Sequence, residues 1–482
     1  MKDTNAMKDT RTKNDTIRNA ESTITRDRDD ERARPLQDVE SGWLSYQPET
    51  EENEGGGTVE ERKRMSMAQI CSHGDHPEKD PYRSHVMPLY QTSTFGFETA
   101  EAGAKFFAHE AGGASHSYSR LGNPTVERAE QVIADLETFG MEERGEGMLF
   151  GSGMAAIVTG MMGLAMGKRI LAQEALYGCT SQFLQEQAEG LGIRVTHVDV
   201  SDLAQVEEAL ARYDDIALIY LESIANPTMR LADVEAIVAL ARGARRDGRG
   251  DARPGDGARQ PIRVMVDNTF ATPYHVRPLE LGADLVVHST TKYLNGHGTV
   301  VGGALAAREG FFASSGMAVW RKNLGGISGP FDAWLTLLGL KTFPLRMRKH
   351  SENGMRVARF LEGHPAVERV YYPGLESHPD VALAERMMEN GFGGMMAFEL
   401  RGGLEAGEAL MNRVKVPTLA VSLGTVDSLI QHPASMTHSV VLPEVRKHAG
   451  ITDGLVRLSV GIEEAEDLIE DLREALEPVG GV

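Results

Sequence analysis

From residue 148 onward short apolar runs alternate with amphipathic stretches, and this alternation restricts the fold more than any other feature of the chain. The apolar runs fall at 148–150, 169–171, 194–198, 216–221, 262–267, 284–288 and 301–306. Helical periodicity fills the gaps, for example at 202–212 and 232–241. Strands separated by helices pair in parallel, because a parallel partner needs a long crossover. The pattern therefore predicts an α/β fold with a mostly parallel sheet covered on both faces. Ligands of such sheets bind at the carboxyl ends of the strands. After Phe343 the register changes. Helices at 350–361, 383–390 and 465–476 alternate with strands at 367–372 and 395–400, which predicts a smaller α/β C-terminal domain. A chain of 482 residues has room for two or three such cores.

Three strand ends carry chemistry. The run Leu285-Val286-Val287 turns polar at His288-Ser289-Thr290-Thr291-Lys292, and Gly296 and Gly298 follow. A lysine at the mouth of a buried strand, beside small hydroxyls, suits a Schiff base with a phosphate-bearing aldehyde. Alone, Ser-Xaa-Thr-Lys is an ordinary surface loop. Upstream, Val264-Met265-Val266-Asp267 is a second buried strand, and it ends in a carboxylate. That carboxylate either caps the next helix or pairs with a protonated ring nitrogen. Gly151-Ser152-Gly153-Met154 follows a third strand and opens an apolar helix. Exposed N–H groups and the helix dipole make that turn a phosphate cradle, although Gly-Ser-Gly occurs in many turns.

Together these segments resemble the Cys/Met metabolism (trans-sulfuration) pyridoxal-phosphate enzymes, from about residue 73 to the C-terminus, and within that family the methionine γ-lyase group. The resemblance implies a fold type I transferase-like architecture. It implies an arm at 67–122 that contacts a partner subunit, a pyridoxal-phosphate domain at 123–343 and a C-terminal domain at 344–482. It also implies a homotetramer, a dimer of dimers with sites shared across the dimer. Lys292 then carries the cofactor, Asp267 holds its ring nitrogen and Asn226 its phenolic oxygen. Gly153, Met154, Ser289 and Thr291 hold its phosphate, with Tyr118 and Arg120 of the Tyr-Ser-Arg…Asn-Pro motif supplied by the partner. Arginine suits that task because its fork donates two parallel bonds. Tyr177 stacks on the ring and protonates the leaving group. Arg457 clamps the substrate carboxylate with help from Ser422 and Thr437, while Glu222 and Cys179 line the pocket.

Charge and composition exclude several classes. The net charge of −20 argues against a nucleic-acid partner. Two cysteines, Cys71 and Cys179, make no disulfide framework and fit a reducing cytoplasm. No apolar leader is visible, and the glycine-interrupted stretch 154–166 is too short for a bilayer, so no membrane association is expected. Residues 1–66 lack apolar periodicity and read as a disordered polar tail, with Met65 or Met67 as candidate starts. Residues 243–260, rich in Gly, Arg and Asp, read as a mobile surface insertion. His73 and His76 have the spacing of metal ligands, but Gly74 and Pro77 break the helix and no third ligand is near, so no metal is expected.

The resemblance implies γ-elimination on L-methionine or a related sulfur amino acid, giving a thiol, ammonia and 2-oxobutanoate. Cys179, two residues beyond Tyr177, and Gln431–Thr437 point that way. Arg321-Lys322 and Gly298-Thr299 point instead to γ-replacement on an acylhomoserine or to cystathionine as substrate. A doubly positive pair there would favour a substrate with a distal carboxylate.

Overall fold

The computed structural model describes residues 65–76, 82–110, 115–244, 261–437 and 450–477. Nearly all of the tail at 1–66 and of the insertion at 243–260 lies outside the described residues.

Seven strands form the large sheet: β1 (Gly145–Phe150), β2 (Arg169–Gln173), β3 (Arg194–Val198), β4 (Ile216–Glu222), β5 (Arg263–Asp267), β6 (Leu285–His288) and β7 (Gly303–Arg308). Their order is β1-β7-β6-β5-β4-β2-β3. The pairs from β6 through β5, β4 and β2 to β3 are parallel, while β7 runs antiparallel to both its neighbours. Side chains alternate between two cores, as a two-faced sheet requires. Leu171, Ile219, Leu221, Val264 and Val266 pack with helix Pro124–Glu137 on one face. Ile170, Leu218, Met265, Leu285 and Val287 pack with helix Gly153–Ala165 on the other.

The predicted strands are all present, with small shifts at their ends. The seventh begins at Gly303 rather than at 301, and a Cβ at Gly303 would lie against the Ser152 backbone, an approach only glycine permits. The second sheet is larger than the sequence suggests. Beside β8 (Val367–Tyr371) and β9 (Met395–Leu400) it holds β10 (Thr418–Leu419), β11 (Leu429–Gln431) and β12 (Leu455–Ser459), in the order β10-β11-β12-β9-β8. Two- and three-residue strands are too short to show a period. In β12 a buried Arg457 interrupts the apolar run. The helix expected at 350–361 extends over Phe343–Glu362, started by a proline in its first turn. The one expected at 383–390 is Val381–Met387, and Asn390 lies beyond it with φ +58°.

Between Met87 and Phe95 the chain is extended and tied to the segment 117–119. Phe95 N–H donates to Ser117 O and Ser119 N–H to Ser93 O. Ahead of it, helix Met67–His73 buries Met67, Ile70 and Cys71, and Gly74 caps it. Burial pushes the Cys71 thiol up to about 12, so this cysteine packs as an apolar group.

Ser66 and Gln69 form a reciprocal capping box at the start of that helix. A chain beginning at Met65 should therefore match the full chain in turnover and stability. One beginning at Met67 should keep its turnover but lose about 1 kcal/mol in denaturant unfolding, through loss of the cap. A large fall in turnover for the Met65 chain with its fold intact would assign the tail a role in catalysis.

Candidate active site

The carboxyl ends of β4, β5 and β6 lie side by side and deliver Glu222, Asp267 and His288-Ser289. Glu222 and Asp267 are register partners in the β4–β5 ladder. Glu222 accepts the Tyr177 N–H at 2.6 Å and the Asn226 N–H at 3.0 Å. Its own N–H is held by Gln173 Oε1 at 2.9 Å. Asp267 accepts the Thr269 N–H at 3.0 Å, and the Tyr220 hydroxyl lies 3.5 Å away. Neither carboxylate makes an ion pair among the described residues. Burial and then the Asp267 charge push Glu222 up to about 8, and burial also raises Asp267. Two adjacent carboxylates with no cation ask for a positive group between them.

Lys292 reaches the site from the turn after β6. Its Nζ donates to Ser422 Oγ at 2.7 Å. Burial, then the neighbouring Arg457 charge, lowers its amine to about 8, so a useful fraction is neutral and nucleophilic near physiological pH. The turn is fixed from below by Arg346, a buried arginine that donates to Tyr293 O and Gly339 O, both at 2.8 Å. Gly296, with φ +70°, lies directly over that guanidinium, where a Cβ would overlap it.

The second sheet closes the site. Arg457 of β12 donates to Ser422 O at 2.7 Å and to Asn226 Oδ1 at 3.1 Å. Burial lowers it only to about 10, so it stays a cation. Ser422 holds its place with φ +84°, an uncommon backbone state for a non-glycine. Residue by residue, hydrogen bonds thus connect Lys292, Ser422, Arg457, Asn226, Glu222, Tyr177 and Cys179, through side-chain atoms at some links and main-chain atoms at others. The last link is Cys179 Sγ on the Tyr177 hydroxyl at 3.4 Å. Tyr177 is 43% exposed at the site mouth. Burial, then the Cys179 contact, pushes its phenol up to about 12, so it carries its proton at neutral pH.

Gly153 opens helix Gly153–Ala165 after Ser152, whose hydroxyl accepts the Ala155 N–H. A Cβ on Gly153 would sit 3.1 Å from Ser289 Cβ, so the first helical turn and the Ser289 turn face each other as a cradle. The N–H groups of such a turn have no partner within the helix and suit a phosphate. Met154 packs its sulfur against the Thr180 hydroxyl at 3.7 Å. The donor set therefore fits an anionic phosphate at Gly153 and Ser289, and a cationic ring nitrogen at Asp267.

Two expected residues have other bonds. The Thr291 hydroxyl lies between Gly302 O at 3.2 Å and Gly302 N at 3.0 Å, where it ties the turn to β7. Tyr118 and Arg120, expected to serve a partner's site, respectively bridge to Thr94 and donate to Lys322 O at 2.7 Å in their own chain. Thr437 is exposed in the turn after β11, while the guanidinium bonds of Arg457 go to Asn226 and Ser422. Sequence reasoning missed Gln173, Tyr220, Thr269 and Arg346. Thr269, two residues after Asp267, carried the most legible signal, since a residue at that offset caps a strand-end carboxylate. Arg321 pairs with the buried carboxylate of Glu130, and the Thr299 hydroxyl donates to Asn295 Oδ1 at 3.2 Å.

Comparison with known proteins places this geometry. A family model described as Cys/Met metabolism PLP-dependent enzyme matches residues 68–477. An L-methionine gamma-lyase of Fusobacterium nucleatum subsp. nucleatum is 44% identical over 402 residues, covering 83% of this chain and 95% of its own. A cystathionine gamma-lyase of Bacillus subtilis is 39% identical over 416 residues, covering 86% of this chain and 100% of its own. The crystal structure of a cystathionine gamma synthase from Xanthomonas oryzae pv. oryzae superposes with a TM-score of 0.76 at 36% identity, over 86% of this chain and 98% of that one. With Lys292, Asp267 and the Gly153–Ser289 cradle brought together, the chain belongs to the Cys/Met metabolism family of pyridoxal-phosphate-dependent enzymes.

Proposed function

We propose that the protein is a carbon–sulfur lyase that performs γ-elimination on L-methionine or a closely related sulfur amino acid, releasing a thiol, ammonia and 2-oxobutanoate. The observation that carries this reading is the Tyr177–Cys179 pair: a phenol that keeps its proton, standing at the mouth of the site where a departing sulfur would pass. The similarity to L-methionine gamma-lyases supports it. Of the residues that pointed to a transferase or a distal carboxylate, Arg321 and Thr299 have other work in the fold. Arg321 is closed on Glu130, and Thr299 is bonded inside its own turn.

Bound pyridoxal phosphate supplies an electron sink for charge released at the substrate α-carbon. The side chains around it have separable tasks. Asp267 would keep the ring nitrogen cationic, and Asn226, whose Oδ1 already accepts from Arg457, would have its amide N–H groups to offer the phenolic oxygen. Arg457 receives the substrate carboxylate as a charge-assisted fork. The Lys292 amine would take the proton from the substrate α-carbon, pass it on, and then take the proton from the β-carbon, so that the bond from the γ-carbon to sulfur can break. Its lowered basicity suits both halves of that transfer. Tyr177 gives its proton to the leaving sulfur as negative charge develops there.

We further propose a cytoplasmic homotetramer in which Tyr118 and Arg120 complete the partner's site. Tyr118 is 43% exposed, and Arg120, which lies over its ring and donates to Lys322 O, is exposed beside it. The exposed apolar side chains of Tyr90, Leu324 and Phe331 give this face surface to bury. The free thiols of Cys71 and Cys179 are at home in a reducing compartment.

The reaction is tested by comparing kcat/KM for methionine, cystathionine and O-acetylhomoserine plus sulfide. Methionine should lead; a lead of more than about tenfold for the acylhomoserine, or about 1.4 kcal/mol of transition-state binding, would make the enzyme a transferase. Site sharing is tested by mixing. Lys292→Ala chains should be inactive, and Arg120→Ala chains should bind the cofactor more weakly by about 1.5–3 kcal/mol. Mixed oligomers of the two should recover activity, because one site then receives both intact residues. Mixed oligomers with no recovery would place the whole site within one chain.

A further inference from the structure

On the face of the large sheet opposite Asp267 lies a second polar chain. Its members are Ser223, Asn268, Glu137 and His288, all essentially without solvent exposure. Ser223 Oγ donates to Asn268 Oδ1 at 2.9 Å. Asn268 Nδ2 donates to Glu137 Oε1 at 3.2 Å and to Val276 O at 2.7 Å. His288 Nε2 donates to the same Glu137 oxygen at 2.6 Å. Glu137 is the last residue of helix Pro124–Glu137, so one carboxylate oxygen from a helix ties together the ends of β5 and β6, and Asn268 carries the tie on to β4.

Each strand-end member adjoins a residue of the site. Ser223 follows Glu222, Asn268 follows Asp267, and His288 precedes Ser289. In a strand, neighbouring side chains point to opposite faces, so fixing one sets the direction of the next. A core needs no such chain for its stability, since apolar side chains of similar volume fill a buried ionic site equally well or better. Two of its atoms, Glu137 Oε2 and His288 Nδ1, have no hydrogen-bond partner among the described residues, so part of its polarity is uncompensated. An arrangement that costs stability and reaches three strand ends at once fits the fixing of orientation.

We infer that Glu137 is a positioning residue, acting through Asn268 and His288 to aim Asp267 and Ser289 at the cofactor from the far side of the sheet. This rests on the reading that Asp267 meets the ring nitrogen. Misplacing a reacting group by an ångström from a distance costs on the order of a hundredfold in rate, so the effect of releasing Glu137 is measurable.

The test uses the holoenzyme and follows kcat, KM and the visible circular dichroism of bound pyridoxal phosphate, which reports its orientation. Glu137→Ala should lower kcat by about tenfold to a hundredfold and weaken the dichroic band. Its KM should stay within about twofold, because Arg457 belongs to the other sheet. Glu137→Gln keeps an acceptor oxygen for both donors and should restore most of kcat and of the band. Ser223→Ala, a milder change that leaves the fold safe if Glu137→Ala does not accumulate, should lower kcat by about threefold with a matching loss of band. If these variants melt earlier yet keep wild-type kcat and dichroism, Glu137 only packs and the inference fails. Asp267→Asn is the control. If it too leaves the band and kcat unchanged, the reading of Asp267 has failed and the inference falls with it; if Asp267→Asn alone changes them, only the inference is lost.

Discussion

Glu222 and Asp267 stand beside each other at the ends of adjacent parallel strands, with no lysine or arginine among the described residues paired to either. The rest of the site follows from that placement. Backbone N–H groups of Tyr177 and Asn226 favour a charged Glu222, while its burial and the neighbouring charge favour a proton. The balance leaves Glu222 raised above the ordinary carboxylate range. A cationic group bound against Asp267 would relieve the repulsion between the two carboxylates. The sheet thus holds electrostatic demand for the cofactor in its strand ends, before any side chain touches substrate.

Glu222 also links the two sheets. Through Asn226 it reaches Arg457, through Arg457 it reaches Ser422, and through Ser422 it reaches the Lys292 amine. Groups with different tasks are therefore held by one another rather than by solvent. A substrate carboxylate at Arg457 would compete with Asn226 and Ser422 for the guanidinium, and a freed Lys292 amine would have Ser422 within reach. Arg346 stabilises the same turn from beneath, with its charge met by carbonyl oxygens instead of a carboxylate.

The large sheet was legible because its strands are apolar on both faces and long enough to show it, as with Leu218 to Leu221 and Val264 to Val266. Lys292 and Asp267 were legible because polar residues at the ends of such strands stand out against their neighbours. The small sheet was only half legible, since β10 and β11 are too short for a period and Arg457 breaks the apolar run of β12. The partners were least legible. Gln173 meets Glu222 across 49 positions, and Glu137 meets His288 across 151, so no local pattern encodes either contact. Arg321 is joined to Glu130 across 191 positions, a contact its local sequence does not announce.

One measurement reaches the centre of this account. Protein stripped of its cofactor is given pyridoxal phosphate at a series of pH values, reduced with borohydride and digested. The label should appear on the peptide containing Lys292 and on no other. Only the neutral amine attacks an aldehyde, and burial beside Arg457 lowers the Lys292 amine to about 8, so the rate of capture should rise with pH through a midpoint near 8. Label on another lysine, or a rise delayed to the ordinary lysine value of about 10.4, would contradict the account.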